Sequence, residues 1–179
     1  MNIPNLITLY RITTIPIFVG LVFYGKKEAA FFIFLSAGIS DAIDGFLARI
    51  LNQRTVLGTY LDPIADKALI NLAFLSLTIK EFIPIWIAII VLGRDFTIII
   101  GFITLKAASF DIKVQPNLFG KATTLSEMLF ILSSLSNFAP LSCLRKLLMI
   151  IMIILTCISG ILYILKGTKI VEGGKTCQS

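Results

Sequence analysis

The chain has 179 residues, 57% of them hydrophobic and 15% charged, with a net charge of +6 and a mean hydropathy of +0.95. That length sets one domain, and that composition excludes an ordinary soluble globular protein. Histidine is absent and Cys143, Cys157 and Cys177 follow no metal or disulfide spacing, so imidazole metal ligation and the histidine-based hydrolase triad are excluded as well.

Recurrent apolar runs predict six membrane helices, each needing roughly 20 predominantly apolar residues. The first, near 4–24, is interrupted by Arg11. It lacks a basic segment before Leu6 and a small-x-small site after it, so it reads as a retained helix and not a cleaved signal. The second, near 29–50, ends in D-A-I-D-G-F-L-A-R, from Asp41 to Arg49. A loop with Asn52, Gln53, Arg54 and Gly58 leads to the third, near 60–79, which carries Asp62 and Asp66. Pro63 falls at its start, where a missing N–H costs little. The fourth, near 84–106, contains Arg94 and Asp95. The fifth, near 119–138, follows Lys113 and opens on Gly120-Lys121, and the sixth lies near 146–166. Residues 1–166 thus form one transmembrane domain, with 167–179 as a flexible cytoplasmic tail.

With the N-terminus inside, Arg49, Arg54, Lys106, Lys113, Lys121, Lys166, Lys169 and Lys175 fall on the cytoplasmic side. Lys26, Lys27, Lys80, Arg145 and Lys146 fall outside, which follows the positive-inside tendency. This orientation turns the aspartates toward the cytoplasm. A basic rim there attracts anionic head groups and phosphate substrates, although interfacial anchoring also accounts for most of these lysines.

The aspartates are the feature that composition does not explain. A carboxylate in hydrocarbon costs about 2.5–3.5 kcal/mol on insertion scales. Asp41, Gly45 and Ala48 recur at i, i+4 and i+7 on one helix face, with Asp44 beside them, and Asp62 and Asp66 share a face of the next helix. The two helices are antiparallel, so their acidic ends meet at one depth. Carboxylates alone suit hard cations, Mg²⁺, Mn²⁺ or Ca²⁺, and four of them suggest a pair of ions about 3.5–4 Å apart. Arg49 and Thr55 stand beside the cluster and could hold phosphate oxygens. The structural alternative pairs these acids with Arg49, Arg54, Lys67 and Arg94 and lets them only hold helices together.

The spacing D-x-x-D-G-x-x-A-R-x8-G-x3-D-x3-D resembles the signature of the CDP-alcohol phosphatidyltransferases, with Asp41, Asp44, Gly45, Ala48, Arg49, Gly58, Asp62 and Asp66 at every fixed position. Pro4-Asn5 with Thr8 and Arg11, and Asp62-Pro63 with Ala65-Asp66-Lys67, resemble its glycerophospholipid-making branch. The resemblance implies an all-α, six-helix enzyme of the bacterial inner membrane, commonly a homodimer, with a polar cavity open to the cytoplasm. It implies two divalent cations, Mg²⁺ or Mn²⁺, bridged by Asp41 and Asp62, with Asp44 completing one site and Asp66 the other. Gly45, Arg49 and Thr55 would hold the CDP moiety of CDP-diacylglycerol, with Thr8 as a further candidate, and Asp66 would act as the base. Nucleic acid is not among the expected partners.

The acceptor is less determined than the donor. Arg94, Lys113 and Lys121 are candidates to bind a phosphate on it, against a structural pairing of Arg94 with Asp95 or Glu127. Glycerol 3-phosphate, giving phosphatidylglycerophosphate, is preferred over phosphatidylglycerol, giving cardiolipin. Arg94-Asp95 followed by an uncharged Phe96–Gly101 departs from the usual glycerol-phosphate pattern, and Gln115–Lys121 looks closer to cardiolipin synthases. A small cation transporter and a purely structural membrane protein are the readings from other classes, and neither explains Gly45, Arg49 and Gly58.

Overall fold

The computed structural model describes the backbone of residues 3–51, 56–107, 118–136 and 139–175, and the side chains of residues 9–41, 65–104, 107, 119–136 and 143–168. Among the described residues all regular structure is helical: α1 (Ile3–Phe23), α2 (Lys27–Leu51), α3 (Val56–Ile79), α4 (Ile85–Ala107), α5 (Leu118–Leu135) and α6 (Ala139–Lys175). Helices suit such a sequence because they satisfy their backbone groups internally, whatever surrounds them.

Among the described residues, two stretches, Ile85–Thr104 and Cys143–Thr168, are long and apolar enough to cross a membrane, and Leu9–Phe23 is a shorter apolar segment. Large apolar side chains stand exposed along α4 and α6, among them Trp86, Ile89, Phe96, Ile100 and Ile103, and Leu147, Ile150, Ile154 and Ile161. A contiguous face of this kind marks contact with lipid or another protein.

Three boundaries differ from the hydropathy reading. Helix α3 begins at Val56, so Pro63 lies within it and not in its first turn. Proline is tolerated inside membrane-type helices because neighbouring groups take up the freed carbonyl. Helix α6 begins at Ala139 and runs on through Lys175. Residues 167–175, expected to be a frayed tail, therefore extend α6, since propagating a nucleated helix costs far less than starting one.

Helix α1 packs on α2 and α3, α5 and α4 pack on α6, and contacts of α3 with α4 and of α2 and α3 with α5 join the two groups. Aromatic rings fill the centre: Phe18 meets Phe34 at 5.4 Å between centroids, and Phe74 stacks on Phe130 at 6.2 Å. Both arrangements fall within the favoured range for ring pairs. Gly38 on α2 admits α5 closely, since a Cβ there would stand 2.8 Å from Met128 Cε.

Helix α1 ends in a tight reversal. Lys26 N–H donates to Leu21 O and Gly25 N–H to Val22 O, with Gly25 at φ +74°, the Schellman arrangement that glycine adopts at least cost. Helix α3 ends the same way, from Phe82 N–H to Leu77 O and Glu81 N–H to Thr78 O, but places Glu81 at φ 59°. Buried hydroxyls on α5 fold back on their own helix. Ser126 donates to Thr123 O, while Ser133 and Ser134 donate to Phe130 O. Thr123 Oγ1 reaches both Phe119 O and Leu155 O of α6, a polar clasp between two apolar helices.

Candidate active site

Three helices bring charge to one level. Their ends are gathered by the α1–α2 turn and the α3 terminus, where Lys27 Nζ sits 3.8 Å from the centroid of the Phe82 ring and Lys80 Nζ 5.2 Å from that of Phe23. Counted from that end, Arg11, Asp41 and Asp66 lie roughly 12 to 14 residues along their helices, or about 20 Å at 1.5 Å per residue. Equal spacing along packed helices sets them side by side.

There Arg11 Nη1 donates to Asp41 Oδ1 at 2.8 Å and also to Asp66 Oδ1. Arg11 is 1% exposed, whereas the side chains of Asp41 and Asp66 are 43% and 33% exposed. The acids thus keep an accessible side and the guanidinium lies buried against them. A cavity of about 30 Å³ adjoins the three, closed by Thr124 and Met128 of α5 and by apolar side chains of α2 and α3. That is room for about one water-sized occupant.

The donor chemistry fits the expected metal. Two carboxylates from different helices already share one positive charge, and their oxygens are the hard ligands that Mg²⁺ or Mn²⁺ takes. No group of three or more potential ligands gathers among the described residues. Asp44 lies on α2 and Asp62 on α3, with their side chains outside the described residues. The same holds for Gly45 and Arg49 on α2 and for Thr8 on α1. Thr55 and Lys113 lie outside the described residues altogether.

A second network stands next to the first. Lys67, adjacent to Asp66 in the chain, donates to both oxygens of Asp95, each at 2.8 Å. Arg94 Nη1 donates to Asp95 Oδ1 at 2.6 Å and its Nη2 to Ser159 Oγ at 2.7 Å. Helix α3 is thereby tied to α4 through one buried carboxylate, and α4 to α6 through Arg94. Arg94, named as an acceptor ligand, is engaged with Asp95 as the structural alternative had it, while its guanidinium approaches Gly120 at the start of α5. Lys121 is exposed. Glu127 of α5 is fully buried, with neither carboxylate oxygen hydrogen-bonded.

Of the cations in the helix-tying reading, Lys67 and Arg94 are seen and neither meets Asp41 or Asp66, while the side chains of Arg49, Arg54, Asp44 and Asp62 lie outside the described residues. Lys67 and Arg94 serve Asp95, and it is Arg11 that meets Asp41 and Asp66. Arg11 was legible as an arginine inside an apolar run, a residue that must face a partner.

The model of the CDP-alcohol phosphatidyltransferase family matches residues 1–158. The chain belongs to that family. A CDP-diacylglycerol--glycerol-3-phosphate 3-phosphatidyltransferase of Aquifex aeolicus is 38% identical over 177 residues, covering 96% of this chain and 98% of its own. The enzyme of the same name in Bacillus subtilis is 32% identical over 154 residues, or 78% of this chain and 79% of its own. A cardiolipin synthase (CMP-forming) of Rattus norvegicus is 38% identical over 99 residues, 55% of this chain and 33% of its own. Family and fold together make this an all-helical phosphatidyltransferase, and its two apolar helices point to a membrane protein.

Proposed function

We propose that this enzyme transfers the phosphatidyl group of CDP-diacylglycerol to glycerol 3-phosphate, releasing CMP and forming phosphatidylglycerophosphate. The observation that carries the choice of acceptor is the extent of similarity. The enzymes named for glycerol 3-phosphate in Aquifex aeolicus and Bacillus subtilis align over 96% and 78% of this chain, and that of Pseudomonas fluorescens over 55%, whereas the cardiolipin synthase of Rattus norvegicus aligns over 55%. Phosphatidylglycerol as acceptor, with cardiolipin as product, is the second reading, supported by that 38% match.

All six helices would span the bacterial inner membrane, with the acids opening to the cytoplasm, in a protein that pairs as a homodimer. Asp41 and Asp62 would bridge two divalent cations, Mg²⁺ or Mn²⁺, with Asp44 and Asp66 each completing one. Bound there, the cations would supply positive charge to the pyrophosphate of the donor and to the departing CMP. Gly45, Arg49, Thr55 and Thr8 would hold the cytidine diphosphate, Arg49 through its planar two-pronged guanidinium.

The acceptor hydroxyl gives its proton to the Asp66 carboxylate, and its oxygen forms a bond to the phosphorus that carries diacylglycerol. The bond from that phosphorus to the CMP oxygen breaks, and its electron pair leaves with CMP. Lys113 and Lys121, with Arg94 beside Gly120, would supply positive charge for the acceptor phosphate.

Purified enzyme given labelled CDP-diacylglycerol, with either glycerol 3-phosphate or phosphatidylglycerol and with or without Mg²⁺ or Mn²⁺, tests the reading. Phosphatidylglycerophosphate formed only with metal is expected. Cardiolipin as the sole product would transfer the assignment to the second reading.

A further inference from the structure

The pairing of Arg11 has a chemical consequence for the site it occupies. One nitrogen, Nη1, contacts Oδ1 of Asp41 on α2 and Oδ1 of Asp66 on α3. The guanidinium cannot shed its proton in any ordinary pH range, so it cannot withdraw by becoming neutral. Lys67 and Arg94, the nearby cations of α3 and α4, are already held by Asp95. Arg11 is therefore the cation on which both acids converge among the described residues. Without a positive charge the two carboxylates would repel each other between α2 and α3, which both pack on α1, in a weakly polar interior.

A divalent cation ligated by Asp41 and Asp66 competes with the guanidinium for the charge of the same two carboxylates and repels it at close range, although Arg11 occupies only Oδ1 of each. Each cation therefore weakens the other's hold on these acids. We infer that Arg11 is a resident counter-ion of the metal site, holding Asp41 and Asp66 together before metal binds and giving the oxygens up when it does. The inference rests on the reading of these acids as metal ligands. Burial places the arginine behind the acids while leaving each of them an accessible side, so metal enters without first crossing the guanidinium. Arg11 is a positioning residue in this account and touches no reacting atom.

The test uses the full chain in detergent. Free Mn²⁺ is counted by electron paramagnetic resonance, and thermal midpoints are read in EDTA and in saturating Mn²⁺. A counter-ion engaged in about nine molecules of ten raises the apparent Kd about tenfold, so Arg11→Gln should bind Mn²⁺ about tenfold more tightly than wild type. Its midpoint should fall in EDTA and recover in Mn²⁺. Arg11→Lys, with a point charge in place of the fork, should lie between the two.

Unchanged or weaker Mn²⁺ binding by Arg11→Gln, or equal loss of stability with and without metal, would overturn the inference. Should Arg11→Gln fail to fold in both solutions, Arg11→Lys decides: tighter binding than wild type supports the inference, and unchanged or weaker binding overturns it. Wild type that binds no Mn²⁺ removes the metal reading and the inference together. Wild type that binds, with variants binding no better, removes the inference alone.

Discussion

Lys67 Nζ lies 2.8 Å from each carboxylate oxygen of Asp95, joining the residue after Asp66 to the middle of α4. Asp95 is 2% exposed and also receives Arg94, so two cations depend on one buried acid. Asp95→Asn should destabilise the protein. Breaking a buried pair costs about 3–5 kcal/mol, and the partial exposure of Lys67 brings the expected loss nearer 2–3 kcal/mol. Thermal unfolding measures it, and Asp95→Asn with Lys67→Met should recover part of the loss.

Asp62→Asn should abolish metal-dependent CMP release and leave the helices folded, because a neutral amide cannot bridge two cations. Circular dichroism checks the fold and release of labelled CMP checks the chemistry. Substantial turnover in this variant would remove Asp62 from the bridging role.

Arg49→Lys should raise the Michaelis constant for CDP-diacylglycerol about tenfold, through loss of the two-pronged phosphate contact. Initial rates across donor concentrations provide the check. An unchanged constant would count against Arg49 as a donor ligand.

The two helix-ending turns make a matched pair. Gly25 at φ +74° has open space where a side chain would go, so Gly25→Ala meets only backbone strain. The expected loss is about 1 kcal/mol. Glu81 already bears that strain at φ 59°, and Glu81→Gly should relieve it, offset in part by the greater freedom of glycine when unfolded. Thermal midpoints of the two variants should move in opposite directions.

Much of this architecture was legible because the chain is so apolar. Five helix starts fall within a few residues of the hydropathy reading, since charge or a turn residue interrupts each apolar run. Helix α6 was not legible at its ends. Its cores match, but hydropathy reports where a helix is greasy and not where its hydrogen bonds stop. Asp41 and Asp66 were readable as partners because helical periodicity and the antiparallel course of α2 and α3 leave two paired acids few places to go. Arg11 belonged to a different helix, and which cation reaches which acid depends on how α1 rotates against α2 and α3. Periodicity in one segment carries no information about that rotation. The Arg94–Asp95 pair was among the expected alternatives, but the Lys67–Asp95 contact was hidden for the same reason, since Lys67 comes from α3, and the link to Ser159 of α6 runs through Arg94.

At 1.5 Å per residue, the 37 residues of α6 extend about 55 Å, while the oily layer of a bilayer is about 30 Å thick. Tilting absorbs only part of that excess. Spanning the bilayer as proposed, α6 would stand proud of the lipid like a mast, with its lysine-bearing end carried clear of the surface as a post. A probe fused after Lys175 would ride at a fixed height above the bilayer.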